Sequence, residues 1–177
     1  MVAYNVQHLL ALLTNCTAAA TNHLKGEAMA DLVQYAFEEV PGITLLDRNN
    51  VSPDGAMETD LVFAHRSDTS GLQFFGVSIR VECKNEQTRI SAAQVREFAA
   101  KLKRYNAPTG VMVSRTGLSG SPGSDGHSAI EAAQQDGRNI IVLQASELAK
   151  LSTTGEMVEL LYERIQELDL HGTYVTI

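Results

Sequence analysis

Three side chains in the middle of the sequence have the types and the spacing that hydrolysis of a phosphate ester requires. Glu82 and Lys84 are two residues apart in an alternating segment, so a strand would place both on one face of a sheet. Asp60 opens the preceding apolar segment, and an antiparallel hairpin would bring it near them. Two carboxylates that face one way can bind Mg²⁺, and an ammonium beside them can help to deprotonate the attacking water or offset charge in the transition state.

The Glu-x-Lys spacing is not specific by itself, because such pairs also form ordinary ion pairs on exposed sheet faces. Its context gives it weight. Val77, Ile79 and Val81 alternate with polar residues up to Glu82, which predicts a half-buried strand. A basic helix is predicted directly after Lys84, where a phosphate backbone would meet positive charge.

The charge distribution is compatible with a nucleic-acid partner although the total charge is −7. Between residues 78 and 115 there are eight basic and three acidic residues, a local charge of 8 − 3 = +5, so the remainder carries −7 − 5 = −12. One basic face on an acidic body could meet phosphates, whereas the alternative is a basic but merely solvated helix. The candidate contacts to a DNA backbone are Arg89, Arg96, Lys101 and Arg104.

The bulk composition predicts one globular domain without a membrane span. The chain has 177 residues, of which 44% are hydrophobic and 20% charged. No apolar run reaches the roughly 18 residues that a transmembrane helix needs, and no secretion signal is recognisable. Cys16 and Cys83 form neither a CxxC pair nor a disulfide framework, so we expect a cytoplasmic protein.

Apolar periodicity predicts an α/β fold around a mixed sheet. Three successive strands joined by turns should be antiparallel, whereas later strands that follow helices should pair in parallel. The predicted strands cover residues 43–46, 60–64, 73–84, 110–114 and 140–143, and the predicted helices cover residues 5–20, 24–39, 91–105, 127–135, 146–151 and a last segment that ends near 168.

These segments resemble the PD-(D/E)xK nuclease superfamily, and within it the Mrr-type, restriction-endonuclease-like group. The matching pieces are Lys25-Gly26-Glu27, Glu58-Thr59-Asp60-Leu61-Val62-Phe63, Val81-Glu82-Cys83-Lys84, Gln94 and Gly110-Val111-Met112-Val113-Ser114. The resemblance implies a three-layer sandwich of core order α-β-β-β-α-β over residues 24–151, with residues 1–23 as a helical extension and residues 152–177 as a C-terminal helix and tail.

The resemblance also implies an activity. We expect an endonuclease that hydrolyses DNA phosphodiesters, in restriction or in defence against foreign DNA. Its Mg²⁺, with Mn²⁺ as a substitute, would be bound by Asp60, Glu82 and the carbonyl of Cys83. Because cutting both strands needs two sites, we expect a homodimer, and residues 173–177 with the helix before them are the segment to examine for it. The alternatives are a catalytically silent module that binds DNA or a protein, and a nuclease that acts on RNA.

Three positions leave choices open. A proline often precedes the metal-binding aspartate in the family, and here Pro-Asp occurs at Asp54, in a turn, rather than at Asp60. We favour Asp60 because it leads directly into a strand. Glu27 matches an early helical acid that supports catalysis in some members, but it also fits a solvated helix face. Gln94 fits both a catalytic role and a helix-capping box with Ser91.

Overall fold

A computed structural model of the protein describes residues 1–174. Its strands are β1 (Ile43–Val51), β2 (Glu58–His65), β3 (Ser78–Lys84), β4 (Thr109–Ser114) and β5 (Asn139–Gln144). Its helices are α1 (Val6–Ala18), α2 (Asn22–Glu38), α3 (Ser67–Ser70), α4 (Ala92–Arg104), α5 (Asp125–Gln135), α6 (Ala145–Leu148) and α7 (Thr154–His171).

The five strands form one mixed sheet in the order β1-β2-β3-β4-β5. The first three strands are antiparallel, and β3, β4 and β5 are parallel to one another. Residues 52–57 join β1 to β2, and residues 66–77, which include α3, join β2 to β3, whereas α4 and α5 make the crossovers that parallel pairing requires. The α/β class and the mixed sheet that the sequence predicted are therefore confirmed.

Helices cover both faces of this sheet. On one face α2 packs against the first three strands, and the ring of its Phe37 stacks on Phe63 of β2 with centroids 5.3 Å apart. On the other face α4 lies so close to β4 that a methyl group at Gly110 would approach Leu102 and Phe98 to within 2.6–2.7 Å. Because side chains alternate along a strand, Glu82 points to the face that α4 covers and Cys83 to the α2 face.

The third strand begins later than the sequence predicted. Its regular pairing starts at Ser78, and the preceding residues 73–77 form a turn and an irregular segment. Phe75 is buried at 3% exposure although it lies outside the strand, and its ring contacts Phe74 and His65. The two phenylalanines predicted a longer strand because apolar loop anchors and strand residues have the same composition.

The last helix packs onto the body of the same chain. Met157, Leu161 and Leu168 of α7 are fully buried, and Tyr174 beyond it donates a hydrogen bond of 2.6 Å to the Ile140 carbonyl of β5. Residues 175–177 of the predicted dimer segment lie outside the described residues. In residues 1–174, none of the helices combines the length and the apolar character needed to cross a bilayer.

Candidate active site

The beginning of β2 and the end of β3 lie side by side at one end of the sheet. The antiparallel register pairs Leu61 with Val81, so Asp60 and Glu82, one residue further out on each strand, are neighbours on the same face. The Asp60 carboxylate also accepts a hydrogen bond of 2.6 Å from the backbone N–H of Cys83. The hairpin that the sequence predicted therefore brings the two carboxylates together.

Glu82 lies at the centre of this group and is almost fully buried, at 4% exposure. Lys84 donates to Glu82 Oε1 at 2.9 Å. Lys101 donates to both oxygens of the same carboxylate, at 3.0 Å each. Burial of a carboxylate at this depth is costly unless its charge is paired, and the two ammonium groups supply that pairing.

Lys101 differs from its expected role as an exposed contact to the DNA backbone. Only 4% of the residue is exposed, and besides Glu82 it contacts Glu97 at 3.5 Å. Its position in the sequence carried a signal, because it falls between Phe98 and Leu102 on the apolar stripe of α4. A lysine on a buried stripe needs a carboxylate partner, and here that partner comes from the sheet.

The surroundings of Asp60 and Lys84 raise the pKa of both side chains. Burial raises the pKa of Asp60 to about 6, and the neighbouring charge of Glu82 acts in the same direction. The hydrogen bond from Cys83 and the charges of Lys84 and Lys101 oppose the rise. For Lys84 burial lowers the pKa, but the pairing with Glu82 outweighs burial and leaves the pKa raised. At neutral pH Asp60 is therefore mostly ionised and Lys84 carries its proton.

The donor atoms fit a hard divalent cation. Two carboxylates on adjacent strands, with a backbone carbonyl at Cys83 between Glu82 and Lys84, provide the oxygen ligands that Mg²⁺ prefers. Within residues 1–174 no cluster of three or more His, Cys, Asp or Glu side chains is arranged to hold a metal. The predicted ligands of the cation are two acidic side chains and a backbone carbonyl, so they do not form a cluster of this kind. Cys83 is unsuited to nucleophilic chemistry, because burial raises the pKa of its thiol well above the ordinary value.

A polar cleft opens beside Lys84. The first turns of α2 line one side of it with Lys25 and Gly26, and the loop after β3 lines the other side. Lys84 also lines this cleft, and its side chain is 21% exposed. The remaining lining residues are Asn22, Cys83, Asn85, Glu86, Gln87 and Thr88. The cleft thus brings the N-terminal turns of α2 and two lysines to the end of β3.

Two further expected site residues make structural contacts. Glu27 accepts a hydrogen bond of 3.2 Å from Arg48, and this contact ties α2 to β1. Gln94 completes the capping box of α4, since its side chain accepts from the backbone N–H of Ser91 at 2.9 Å and Ser91 accepts from the Gln94 N–H. The Nε2 group of Gln94 also donates to Glu86 at 3.3 Å, so capping uses only the side-chain oxygen and the catalytic interpretation stays a prediction.

Asp54, the alternative metal ligand, lies in the turn between β1 and β2. It accepts hydrogen bonds from Ser52 at 2.6 Å and from Arg104 at 2.7 Å. These partners, with the backbone N–H of Ala56, lower its pKa to about 2. Asp54 thus has partners that account for its charge, and its contacts attach the turn to α4.

The other predicted DNA contacts have different surroundings. Arg89 is exposed and donates a long hydrogen bond, 3.4 Å, to the Leu118 carbonyl. Arg96 is exposed in a groove between α4 and α5 that Lys103 and Arg138 also line. Arg104 is engaged with Asp54, so its charge is already partly offset. Of the four, Arg89 and Arg96 are the ones whose charge is most available to a ligand.

Comparison with protein families decides what this arrangement belongs to. The family model Mrr_cat, described as a restriction endonuclease, matches residues 21–152, about three quarters of the chain. The chain belongs to this family. A search of the curated proteins finds no match. The matched range contains all five strands and every residue of the Asp60, Glu82 and Lys84 cluster. Membership supports a restriction-type nuclease, a hydrolase that acts on DNA.

Proposed function

We propose that the protein is a Mg²⁺-dependent endonuclease that hydrolyses DNA phosphodiester bonds, with Asp60, Glu82 and Lys84 as its reactive centre. The observation that carries this proposal is the convergence of these three side chains at one end of the sheet, inside the range that matches the restriction endonuclease family. Restriction or defence against foreign DNA is the role that this activity would serve.

Asp60, Glu82 and the carbonyl of Cys83 would hold the cation. When bound, the cation would polarise the phosphate and neutralise charge on the leaving oxygen. Asp60 supports this assignment because, with a pKa of about 6, it is mostly ionised at neutral pH while burial still disfavours its isolated charge. A cation bound beside Asp60 would offset this cost of burying the charge.

Lys84 would act as a hydrogen-bond donor. Its pKa is raised, so at neutral pH it is an ammonium with three donors and no acceptor. Such a group orients a water molecule or a phosphate oxygen and offsets the charge of the transition state, but it does not take a proton from the water. Of the two roles that the sequence suggested for Lys84, charge stabilisation is the one we propose.

Cutting both strands of a duplex in one encounter requires two such sites, so we propose a homodimer. Supporting catalytic roles for Glu27 and Gln94 stay predictions; in the structure Glu27 contacts Arg48 and Gln94 caps α4.

Cleavage of supercoiled plasmid tests the proposal. The parent protein should nick or linearise the plasmid with Mg²⁺ or Mn²⁺ and stop when EDTA is added. Lys84→Met should lower the rate by about 100-fold or more, the size of effect seen when one transition-state donor is removed. Lys150→Met is the matched control, because Lys150 is an exposed lysine that follows α6, and it should cut like the parent.

Two results would contradict the proposal. One is cleavage that continues in EDTA, and the other is equal cleavage by the parent and Lys84→Met. If the parent shifts DNA in a gel but cuts no DNA with any metal, the catalytically silent binding module replaces it. Cutting of RNA but not of DNA would support the proposed reactive centre and show that the substrate is RNA.

A further inference from the structure

The group around Glu82 holds as much positive as negative charge. Asp60 and Glu82 contribute two carboxylates, and Lys84 and Lys101 contribute two ammonium groups that interact with both acids. The formal charge of these four side chains is therefore zero when all are ionised. Glu97 also contacts Lys101, at 3.5 Å, but its side chain is 63% exposed, so water screens its charge. The Asp … Glu-x-Lys motif alone would carry −1, so the difference is due to Lys101.

Lys101 also occupies much of the hydrogen-bonding capacity of Glu82. A carboxylate has about four lone-pair positions on its two oxygens. Lys101 uses one position on each oxygen, and Lys84 uses a second on Oε1. A cation that binds to Glu82 must therefore share the carboxylate with an ammonium or displace it.

We propose that Lys101 is a built-in counterion of Glu82, which keeps the affinity of the DNA-free protein for divalent cations low and makes cation binding depend on the phosphate of the substrate. This inference rests on the proposed function. A divalent cation gains less from a neutral cluster than from one of charge −1, and a bound phosphate restores the missing negative charge. Lys101 acts through Glu82 and is a positioning residue.

A purely structural role for Lys101 predicts a different result. If Lys101 serves only the packing of α4 and Lys84 alone balances the charge of Glu82, the loss of Lys101 lowers stability and leaves the cation affinity of the folded protein unchanged. If it is the counterion, its loss raises that affinity. The affinity of the folded protein for Mn²⁺, measured without DNA, separates the two roles.

The test is a titration with Mn²⁺ in which the free ion is followed by its electron paramagnetic resonance signal. Lys101→Met keeps an unbranched side chain of similar length without the charge. We expect it to bind Mn²⁺ about tenfold more tightly than the parent, or better. Lys101→Arg keeps the charge and should bind like the parent. Equal or weaker binding by folded Lys101→Met would overturn the inference.

A second measurement needs no variant. The parent should bind Mn²⁺ about tenfold more tightly in the presence of a short DNA duplex with phosphorothioate linkages, which slow hydrolysis, after the ions bound by the duplex alone are subtracted. Equal affinity with and without the duplex would also overturn the inference. This arm keeps the test decisive if Lys101→Met does not fold.

Failure of this inference can be told apart from failure of the proposed function. Adding Asp60→Asn to Lys101→Met should remove the gained affinity, which would locate the gain at this cluster. Metal-dependent cleavage together with unchanged Mn²⁺ affinity in Lys101→Met rejects only the counterion. Cleavage that needs no metal, with Mn²⁺ affinity unaffected by Asp60→Asn, rejects the proposed function itself.

Discussion

Asp60 shows how the surroundings of one side chain set its chemistry. It is partly buried, it lies beside another carboxylate, and it accepts a strong hydrogen bond from the Cys83 N–H. Burial is the largest of these influences and raises the pKa to about 6. The ionised form is thus available at neutral pH but is held at a cost in stability, which is common where a protein prepares a site for a cation.

That cost predicts a pH-dependent gain in stability for Asp60→Asn. A carboxyl with a raised native pKa stabilises the fold below its unfolded pKa, near 4, and this contribution is lost as pH rises through about 6. In EDTA, Asp60→Asn should therefore exceed the parent in free energy of unfolding by up to about 3 kcal/mol at pH 8. The difference should shrink towards pH 4. Urea unfolding at pH 4, 6 and 8 measures it, and a difference that does not vary with pH would contradict it.

Asp54→Asn provides a control of opposite sign. The pKa of Asp54 is lowered to about 2, so its ionised form stabilises the fold above its unfolded pKa and loses this contribution only as pH falls towards 2. The variant should be less stable than the parent at pH 8. A gain in stability in Asp54→Asn would show that the effect at Asp60 is not specific to its buried position.

The residues of the motif could be predicted from the sequence, but one of their main contacts could not. Alternation places Glu82 and Lys84 on one face, and the hairpin brings Asp60 to them. The contact between Lys101 and Glu82 joins residues 19 positions apart on a helix and a strand. Its prediction requires the rotation of α4 on the sheet, which spacing along the chain does not supply.

At the scale of elements, the close packing of α4 against β4 places Lys101 in contact with Glu82. Gly110 allows this close approach, since a methyl group there would lie 2.6 Å from Leu102 and 2.7 Å from Phe98. Gly110 pairs with Arg80 on β3, two residues before Glu82. The lack of a side chain at Gly110 therefore helps to set the distance between α4 and the sheet at the site.

Gly110→Ala should push α4 away from the sheet. Overpacking of a dense core costs about 1–3 kcal/mol, so the free energy of unfolding should fall by that amount, and cleavage should fall with it. Gly26→Ala is the control, because a methyl group there meets nothing within 4 Å and the position is exposed in α2. It should gain about 0.5–1 kcal/mol. Urea unfolding of both variants checks this, and an unchanged stability of Gly110→Ala would contradict the close packing.

The elements themselves were mostly predictable, because long periodic segments identify helices and strands better than short ones. The errors lie where apolar residues serve a loop or polar residues continue an element, as in β1, which was predicted over residues 43–46 and runs to Val51. Phe75 extends the apparent third strand although it is buried outside it, and the short helix α3 carries no periodicity at all. The ends of elements depend on tertiary packing, which local patterns do not contain.

At the scale of the whole molecule, the protein and its proposed substrate, DNA, both carry a net negative charge. The net charge is −7, so DNA affinity depends on accessible cations near the site and should fall with salt in proportion to the number of phosphates that they contact. Lys25 and Lys84 line the cleft, and Arg89 is exposed in the segment between β3 and α4. The homodimer stays a prediction.

Arg89→Gln should weaken DNA binding at all sequences. Loss of one phosphate contact should reduce the slope of log K against log salt concentration by about 1. Arg66→Gln is the charge-matched control, because Arg66 follows the end of β2 that is remote from Asp60. Fluorescence anisotropy in EDTA over a range of salt concentrations gives both slopes. Equal slopes for the two variants would show that Arg89 does not contact the DNA backbone.

The most direct measurement compares two aspartates that compete for the same role. Initial rates of plasmid cleavage with Mn²⁺ should be measured for the parent, Asp60→Asn and Asp54→Asn at a temperature at which all three are folded. The arrangement of Asp60 beside Glu82 predicts a loss of about 100-fold or more for Asp60→Asn and a rate close to that of the parent for Asp54→Asn. A rate lost in Asp54→Asn but kept in Asp60→Asn would contradict this account of the site.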